Sequence, residues 1–164
     1  MAVKYPEKNF IGIDLKGARL WRGCKSVEEQ KLSNVAFLRT RVDMLGKLFG
    51  PDEVEEIWIT FPDPQPGKER KRLTSPVFLS KYKSILKKEG IIHLKTDDRP
   101  FYQYTNEVIG AGRHRIIYST DDLYTAGLQE DASLIQTYYE KMWLEQNKKI
   151  NYLRFRLKPG AFRL

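Results

Sequence analysis

Apolar residues run along this chain in short blocks that end abruptly in charge. Asn9-Phe10-Ile11-Gly12-Ile13-Asp14 is the first, and its pattern predicts a short buried strand closed by an acid. From Lys16 to Leu32, with Leu15 leading in, the residues Ala18, Leu20, Trp21, Cys24, Val27 and Leu32 recur at helical spacing. They predict a helix that Gly17 and Gly23 weaken. Asn34 to Arg39 predicts a second strand, and Asp43 to Phe49 a short helix closed by Gly50-Pro51. Glu56 to Phe61 predicts a third strand. Thr74 stands where it can cap a helix running through Leu86 and Lys87. Val77, Phe78, Tyr82, Ile85 and Leu86 would line its inner face, and Gly90 would be its left-handed C-cap. Gly90 to Asp97 predicts a fourth strand, again ending in an acid. The helix after it, from Asp98 or Arg99 to Ile109, accommodates Pro100 in its first turn.

Strands alternating with helices at this spacing predict βαβ units and a mostly parallel sheet. The C-terminal part differs. Arg113 to Ser119 predicts a strand and Ser133 to Gln146 a helix. Ile150 to Leu157 alternates strongly, as an edge or antiparallel strand does. The expectation is an α/β chain with one antiparallel C-terminal strand, built as a single domain over residues 1–164.

The 164 residues suit one domain. Lys and Arg number 29 against 21 Asp and Glu, so the formal charge is +8, which favours polyanionic partners and above all nucleic acid. Charge alone leaves a merely basic surface equally open. Cys24 is the only cysteine, so no intramolecular disulfide can form and a reducing compartment fits. Met1 to Lys8 has no apolar signal core and no apolar run reaches membrane-spanning length, so a cytoplasmic location is expected. No Cys/His set has metal-ligand spacing and no serine-nucleophile motif occurs. His93, in mid-strand, reads as a core or edge residue.

Asp14, Asp63 and Asp97 each follow an apolar strand. In open α/β sheets ligands bind outside the carboxyl ends of the strands, so three acids at that edge outweigh three acids anywhere. Asp63 is the best held, because Pro62 and Pro64 fix their own φ and push their neighbours into extended geometry. Lys68, Arg70, Lys71 and Arg72 follow it closely. Such a run is either a solvated loop or a phosphate grip that orients RNA over the acid. Tyr102, Tyr104, Tyr138 and Tyr139 could stack bases or belong to helix faces.

Four segments in this order resemble the bacterial tRNA (guanine-N7)-methyltransferase family over Phe10 to Leu157. They are Phe10-Ile11-Gly12-Ile13-Asp14, then Phe61-Pro62-Asp63-Pro64 with Lys71-Arg72-Leu73-Thr74, then His93-Leu94-Lys95-Thr96-Asp97, and last Thr137-Tyr138-Tyr139-Glu140. The resemblance implies a Rossmann-like class I sheet with S-adenosylmethionine as cofactor and tRNA as partner, in a monomer or homodimer. It implies Asp14, Asn34 and Asp63 at the cofactor and Asp63 as the catalytic residue. It implies Lys68, Asp97, Thr137, Tyr138, Tyr139 and Glu140 on the substrate side. Arg70, Lys71 and Arg72 would then hold RNA phosphates. The chain departs from the family pattern where Arg41 replaces an acid, with Asp43 close by, and where Gln65 replaces a common tryptophan. The family's Gly-rich first strand is missing, so a truncated sheet in two halves and weak donor binding are expected. An exocyclic-amine methyltransferase would favour an Asp/Asn-Pro-Pro-aromatic turn, which Phe61-Pro62-Asp63-Pro64-Gln65 does not have. The alternative left open is an inactive or truncated relative that binds RNA.

Overall fold

Parallel pairing sets the frame of both halves of the computed structural model, which describes residues 1–159 and divides into compact units Met1–Leu45 and Gly46–Leu164. In the first unit, β1 (Phe10–Asp14) pairs in parallel with β2 (Val35–Arg39), from Phe10 against Val35 to Asp14 against Arg39. Helix α1 (Gly17–Glu29) connects them. The ring of Phe37 needs two glycines: a Cβ on Gly12 or on Gly23 would lie 2.6 Å from it. That close approach explains why α1 tolerates Gly23 in its interior at a cost of about 1 kcal/mol relative to alanine. The apolar face expected for α1 is not buried, however. No residue of α1 is fully buried, and Trp21 and the adjacent Leu15 are largely exposed. A unit of this size has too little chain to cover a helix face.

In the second unit β3 (Val54–Thr60), β4 (Leu86–Thr96), β5 (Arg115–Thr120) and β6 (Asn151–Arg156) form a sheet in the order β3-β4-β6-β5. β3 and β4 are parallel, while β6 is antiparallel to both β4 and β5. Three strands therefore share one direction and β6 is reversed between two of them, which is the expected α/β sheet with an antiparallel C-terminal strand. The alternative of an edge strand for β6 is corrected: Tyr152, Leu153 and Phe155 are completely buried in the sheet interior, as are Ile92 and Leu94 of β4.

Three helices differ from the sequence expectation. Helix α3 spans only Pro76–Lys83, and its N-cap is Ser75 rather than Thr74. The Thr74 hydroxyl is committed elsewhere, 2.7 Å from the Thr105 hydroxyl in the core. The chain leaves the helix early because Ile85 and Leu86 are drawn into the core, where the Ile85 carbonyl accepts from the amides of Glu53 and Val54. β4 then takes in the residues expected to stop the helix. Its register against β3 jumps from Val54–Leu86 to Glu56–Ile91, and Gly90 sits in that irregularity. A Cβ there would meet the Lys87 carbonyl at 2.9 Å and the Glu55 carbonyl at 3.1 Å, so close backbone approach, not a helix cap, requires this glycine. The single helix expected over 133–146 is two, α5 (Asp131–Leu134) and α6 (Tyr138–Glu145), with Thr137 starting the second. Helix α4 (Arg99–Ala111) is as expected: the Asp98 carboxylate accepts from the Phe101 amide at 2.6 Å and Phe101, Thr105 and Ile109 face inward. The short α2 (Leu45–Leu48) follows a 3-10 turn at Val42–Met44. No helix among the described residues is long and apolar enough to cross a membrane.

His93 is a core residue. Its ring stacks on Trp58 with centroids 3.8 Å apart and planes at 2°, and Nδ1 lies 2.9 Å from the Tyr152 hydroxyl. Burial, helped by the charge of Arg154 and opposed by Asp131, pushes its pKa from 6.5 down to about 3. The Glu56 carboxylate, 3.6 Å from Nε2, is too distant to hydrogen-bond and does not reverse this. Between those two pKa values the unfolded chain binds a proton that the native chain refuses. Stability therefore falls as the pH drops through this window, by about 1.4 kcal/mol per pH unit. Urea unfolding of the wild type should weaken markedly between about pH 7 and about pH 5. His93→Phe, which keeps the stack on Trp58, should flatten that part of the profile. Parallel profiles for the two proteins would exclude His93 as the group responsible.

Candidate functional site

Asp63 lies just past the end of β3, on a turn held at both ends. The Phe61 amide donates to the Lys95 carbonyl at 2.8 Å, and the Arg72 Nε–H donates to the Pro64 carbonyl at 3.0 Å. Between these anchors Phe61 and Gln65 have left-handed backbones, with φ of 50° and 48°. Non-glycine residues in that region cost on the order of 1–3 kcal/mol each and persist only where the surroundings impose them. The Asp63 side chain is exposed. Its Oδ1 accepts from the Gln65 amide at 3.0 Å, and Oδ2 has no partner among the described residues. One carboxylate oxygen thus fixes the group and the other is free to act on a ligand.

The basic run that follows does not act as one patch. Lys68, Arg70 and Lys71 are exposed, form no ion pair among the described residues, and line an open depression of about 440 Å³ together with Gly67 and Glu69. Arg72 points inward. Besides its bond to Pro64, its guanidinium lies 4.3 Å from the Tyr104 ring centroid and 3.8 Å from the Glu69 carboxylate, and only 11% of its side chain is exposed. The expectation that Arg72 grips phosphate together with its neighbours is corrected on that geometry.

Asp97 directly follows β4, which pairs in parallel with β3, so Asp63 and Asp97 stand past the carboxyl ends of adjacent strands. Asp97 is part-exposed, with the Lys148 ammonium at 3.4 Å. The sheet carries a further charged residue that the sequence pattern did not single out, Lys95. Its side chain is buried and donates to the Ala132 carbonyl at 2.6 Å and to the Glu140 carboxylate at 2.7 Å. Burial lowers its pKa, and the bond to Glu140 opposes that shift. The signal available in the sequence was a lysine inside an apolar strand. Glu140 is itself completely buried. It also accepts from the Tyr124 hydroxyl at 2.7 Å and from the Thr137 amide at 3.1 Å, while the Thr137 hydroxyl accepts from the Glu140 amide at 3.2 Å. This capping box starts α6. The resemblance puts Thr137 through Glu140 on the substrate side; here Thr137 and Glu140 build the scaffold, and Tyr138, 77% exposed, and Tyr139, 36% exposed, face solvent. The Tyr139 ring meets that of Tyr138 edge-on at 5.7 Å.

In the first unit Asp14 ends β1. Its Oδ1 accepts from the Lys16 amide at 2.9 Å, and among the described residues its Oδ2 has only a long 3.3 Å bond from Arg19. Asn34 differs from the expectation of a cofactor ligand. Its amide nitrogen is engaged by the carbonyls of Ala2, Tyr5 and Lys8 at 3.1, 3.1 and 2.9 Å, and so straps the N-terminal turn to the start of β2. Arg41, which stands in place of the family's acid, pairs with Asp43 through Nε at 3.0 Å and through a terminal nitrogen at 2.7 Å.

Residues 1–153 match a protein family described as "Putative methyltransferase". The chain is 47% identical over 161 residues to the tRNA (guanine-N(7)-)-methyltransferase of Christiangramia forsetii, an alignment covering 96% of this chain and 72% of that protein. It is 50% identical over 155 residues to the protein of the same name from Porphyromonas gingivalis, covering 94% of this chain and 64% of the other. Among solved structures, a SAM dependent methyltransferase from Aquifex aeolicus superposes with a TM-score of 0.59 over 92% of this chain and 69% of its own, at 10% identity. That likeness bears on the fold alone and agrees with the expected class I sheet.

The Lys95–Glu140 pair yields a stability test. Lys95→Met should destabilise the chain by about 3–5 kcal/mol, because it leaves the Glu140 charge buried without its partner. Lys95→Met combined with Glu140→Leu should recover most of that stability. Urea unfolding of the three proteins checks this, and a double variant no more stable than the single one would contradict it.

Proposed function

We propose that this chain, which belongs to the tRNA (guanine-N7)-methyltransferase family, transfers a methyl group from S-adenosylmethionine to N7 of a guanine in tRNA. Both compact units form one methyltransferase domain in this reading. The observation that carries it is the Asp63 turn. A carboxylate with one fixed and one free oxygen is held by strained backbone at a strand end, and the exposed cations Lys68, Arg70 and Lys71 follow within eight residues.

When bound, S-adenosylmethionine supplies an electrophilic methyl on a positively charged sulfur. Asp14 suits the ribose of such a donor, because its Oδ2 holds only one long bond and can accept from a hydroxyl. Asn34 does not suit a donor-binding role through its amide nitrogen, which three carbonyls already occupy. The target N7 has its own lone pair, so no proton need be removed before it attacks. Positive charge develops on the purine as the bond from N7 to the methyl forms and the methyl–sulfur bond breaks, its electron pair leaving with sulfur as a neutral thioether. A carboxylate fixed beside it favours that charge and orients the ring, and Asp63 takes this role rather than that of a general base. Asp97 holds the base edge or ribose from the adjacent strand end. Lys68, Arg70 and Lys71 take backbone phosphates, and Tyr138 offers a ring face to an unpaired base.

Asp63→Ala should lower the rate of methyl transfer to tRNA on the order of 10²-fold while tRNA affinity stays near that of the wild type. Transfer of labelled methyl into tRNA measures this, and a variant that methylates normally would remove Asp63 from the site. Replacing Lys68, Arg70 and Lys71 together by alanine should weaken tRNA binding and reduce the slope of log affinity against log salt by about one for each phosphate these cations hold. An unchanged slope would detach this loop from the RNA.

A further inference from the structure

We propose that Arg72 is a positioning residue for Asp63, a strut that holds the acid-bearing turn against α4. The inference rests on the reading of Asp63 as part of the methyl-transfer site. Arg72 closes the loop that begins at the turn: its Nε–H donates to the carbonyl of Pro64, the residue next to Asp63, eight positions back along the chain. Its guanidinium lies 4.3 Å from the centroid of the Tyr104 ring and 6.0 Å from that of Phe101, both on α4, and Phe101 is completely buried. One terminal nitrogen is 3.8 Å from Glu69 within the loop. The base of the strut is fixed as well. The Arg72 carbonyl accepts from the Ser75 amide at 2.9 Å, and Thr74 is tied to Thr105 of α4 at 2.7 Å.

A planar guanidinium can donate from Nε and stack on an aromatic face at the same time. A lysine ammonium has the charge but no plane to stack, and its three donors all sit on the one terminal nitrogen. Within the loop, Gly67 has a φ of +67° with open space where a Cβ would point, and the Lys68 amide donates to the Gln65 carbonyl at 3.0 Å, a bond that closes a local turn without tying it to α4. Pro62 and Pro64 stiffen the turn itself, and Lys95 anchors its near end through Phe61. Arg72 supplies the anchor at the far end. Without it the far side of the turn is left to the Lys68–Gln65 backbone bond and the long 3.4 Å bond from the Tyr104 hydroxyl to the Glu69 carbonyl, and misplacing a reacting group by about 1 Å can cost on the order of 10²-fold in rate.

The test separates a strut from a phosphate ligand. Arg72→Lys and Arg72→Gln are compared with the wild type for kcat, KM for tRNA, the salt dependence of tRNA binding, and the rate at which trypsin cuts after Lys68, Arg70 and Lys71. Both variants are expected to lose kcat on the order of 10²-fold with KM and the salt slope unchanged. Both should be cut faster in the loop while their melting temperatures stay close to that of the wild type. A phosphate ligand behaves differently: Arg72→Lys would work normally and Arg72→Gln would reduce the salt slope by about one. Either of those results overturns the proposal. If the Arg72 variants fold poorly, Tyr104→Leu removes the stacking surface and leaves the arginine in place, with Tyr104→Phe, which loses only the hydroxyl's 3.4 Å bond to the Glu69 carbonyl, as the control expected to behave as wild type. Tyr104→Leu should also lower kcat and expose the loop to trypsin, and wild-type values of both would overturn the proposal. The trypsin measurement needs no turnover. If Asp63→Ala proves harmless, the reading of Asp63 fails, and loop protection still decides whether Arg72 anchors the turn.

Discussion

A lysine with 1% of its surface exposed must find its partners inside the protein, and the way Lys95 does so orders much of the second unit. Removing an ammonium from water costs several kcal/mol, which only a close counter-charge and well-directed acceptors offset. Lys95 has both in Glu140 and the Ala132 carbonyl, so α5 and the start of α6 must lie where those groups can reach it. Glu140 in turn closes the Thr137 capping box, which fixes where α6 begins and leaves Tyr138 outside. The backbone of the same lysine acts on the other side, because its carbonyl receives the Phe61 amide and so sets the start of the Asp63 turn. One residue of β4 is thereby tied both to the turn that carries Asp63 and to the segment that the family resemblance puts on the substrate side.

The charged groups fall into two classes that sequence alone does not separate. Asp98 and Asp97 are neighbours, yet one caps α4 through the Phe101 amide and the other lies part-exposed at the sheet edge. Lys71 and Arg72 are also neighbours, yet one is exposed and the other is folded onto Tyr104. In each pair the inward residue is engaged by a backbone group or an aromatic face, and the outward residue stays accessible to solvent. The strain at Phe61 and Gln65 belongs to the same division of labour: unfavourable backbone is retained beside Asp63, where the packing of the Phe61 ring and the anchors at Lys95 and Arg72 hold it.

Much of the fold was legible in the sequence because apolar periodicity reports burial directly. Phe10 to Asp14, Val35 to Arg39 and Ile91 to Thr96 are strands in both readings, and the alternation of Ile150 to Leu157 correctly marked a reversed strand. The failures share a cause. Lys87 to Gly90 resembles a helix stop in composition, but the core takes Ile85 and Leu86 and the segment joins β4 through a register irregularity. The helix expected from Ser133 to Gln146 divides because Thr137 and Glu140 cap each other and Glu140 must reach Lys95. Neither outcome is a local property of those residues.

Within the candidate site the acids were legible and the supports were not. The proline-flanked Asp63 and the strand-end Asp14 and Asp97 stand out because strand ends and prolines are written in the sequence. The family resemblance implies Asn34 at the cofactor and Glu140 on the substrate side, and the basic run puts Arg72 on phosphate. The tertiary structure turned all three inward, to the carbonyls of Ala2, Tyr5 and Lys8, to the ammonium of Lys95, and to the carbonyl of Pro64 with the ring of Tyr104. The sequence by itself determined where the central part of each strand lies, which acids follow the strands and where cations cluster, since periodicity and chain order suffice for that. Only the tertiary structure decided which polar groups serve the fold and which face a ligand, because a buried polar group must be satisfied by whatever atoms the packing brings to it, wherever they lie along the chain.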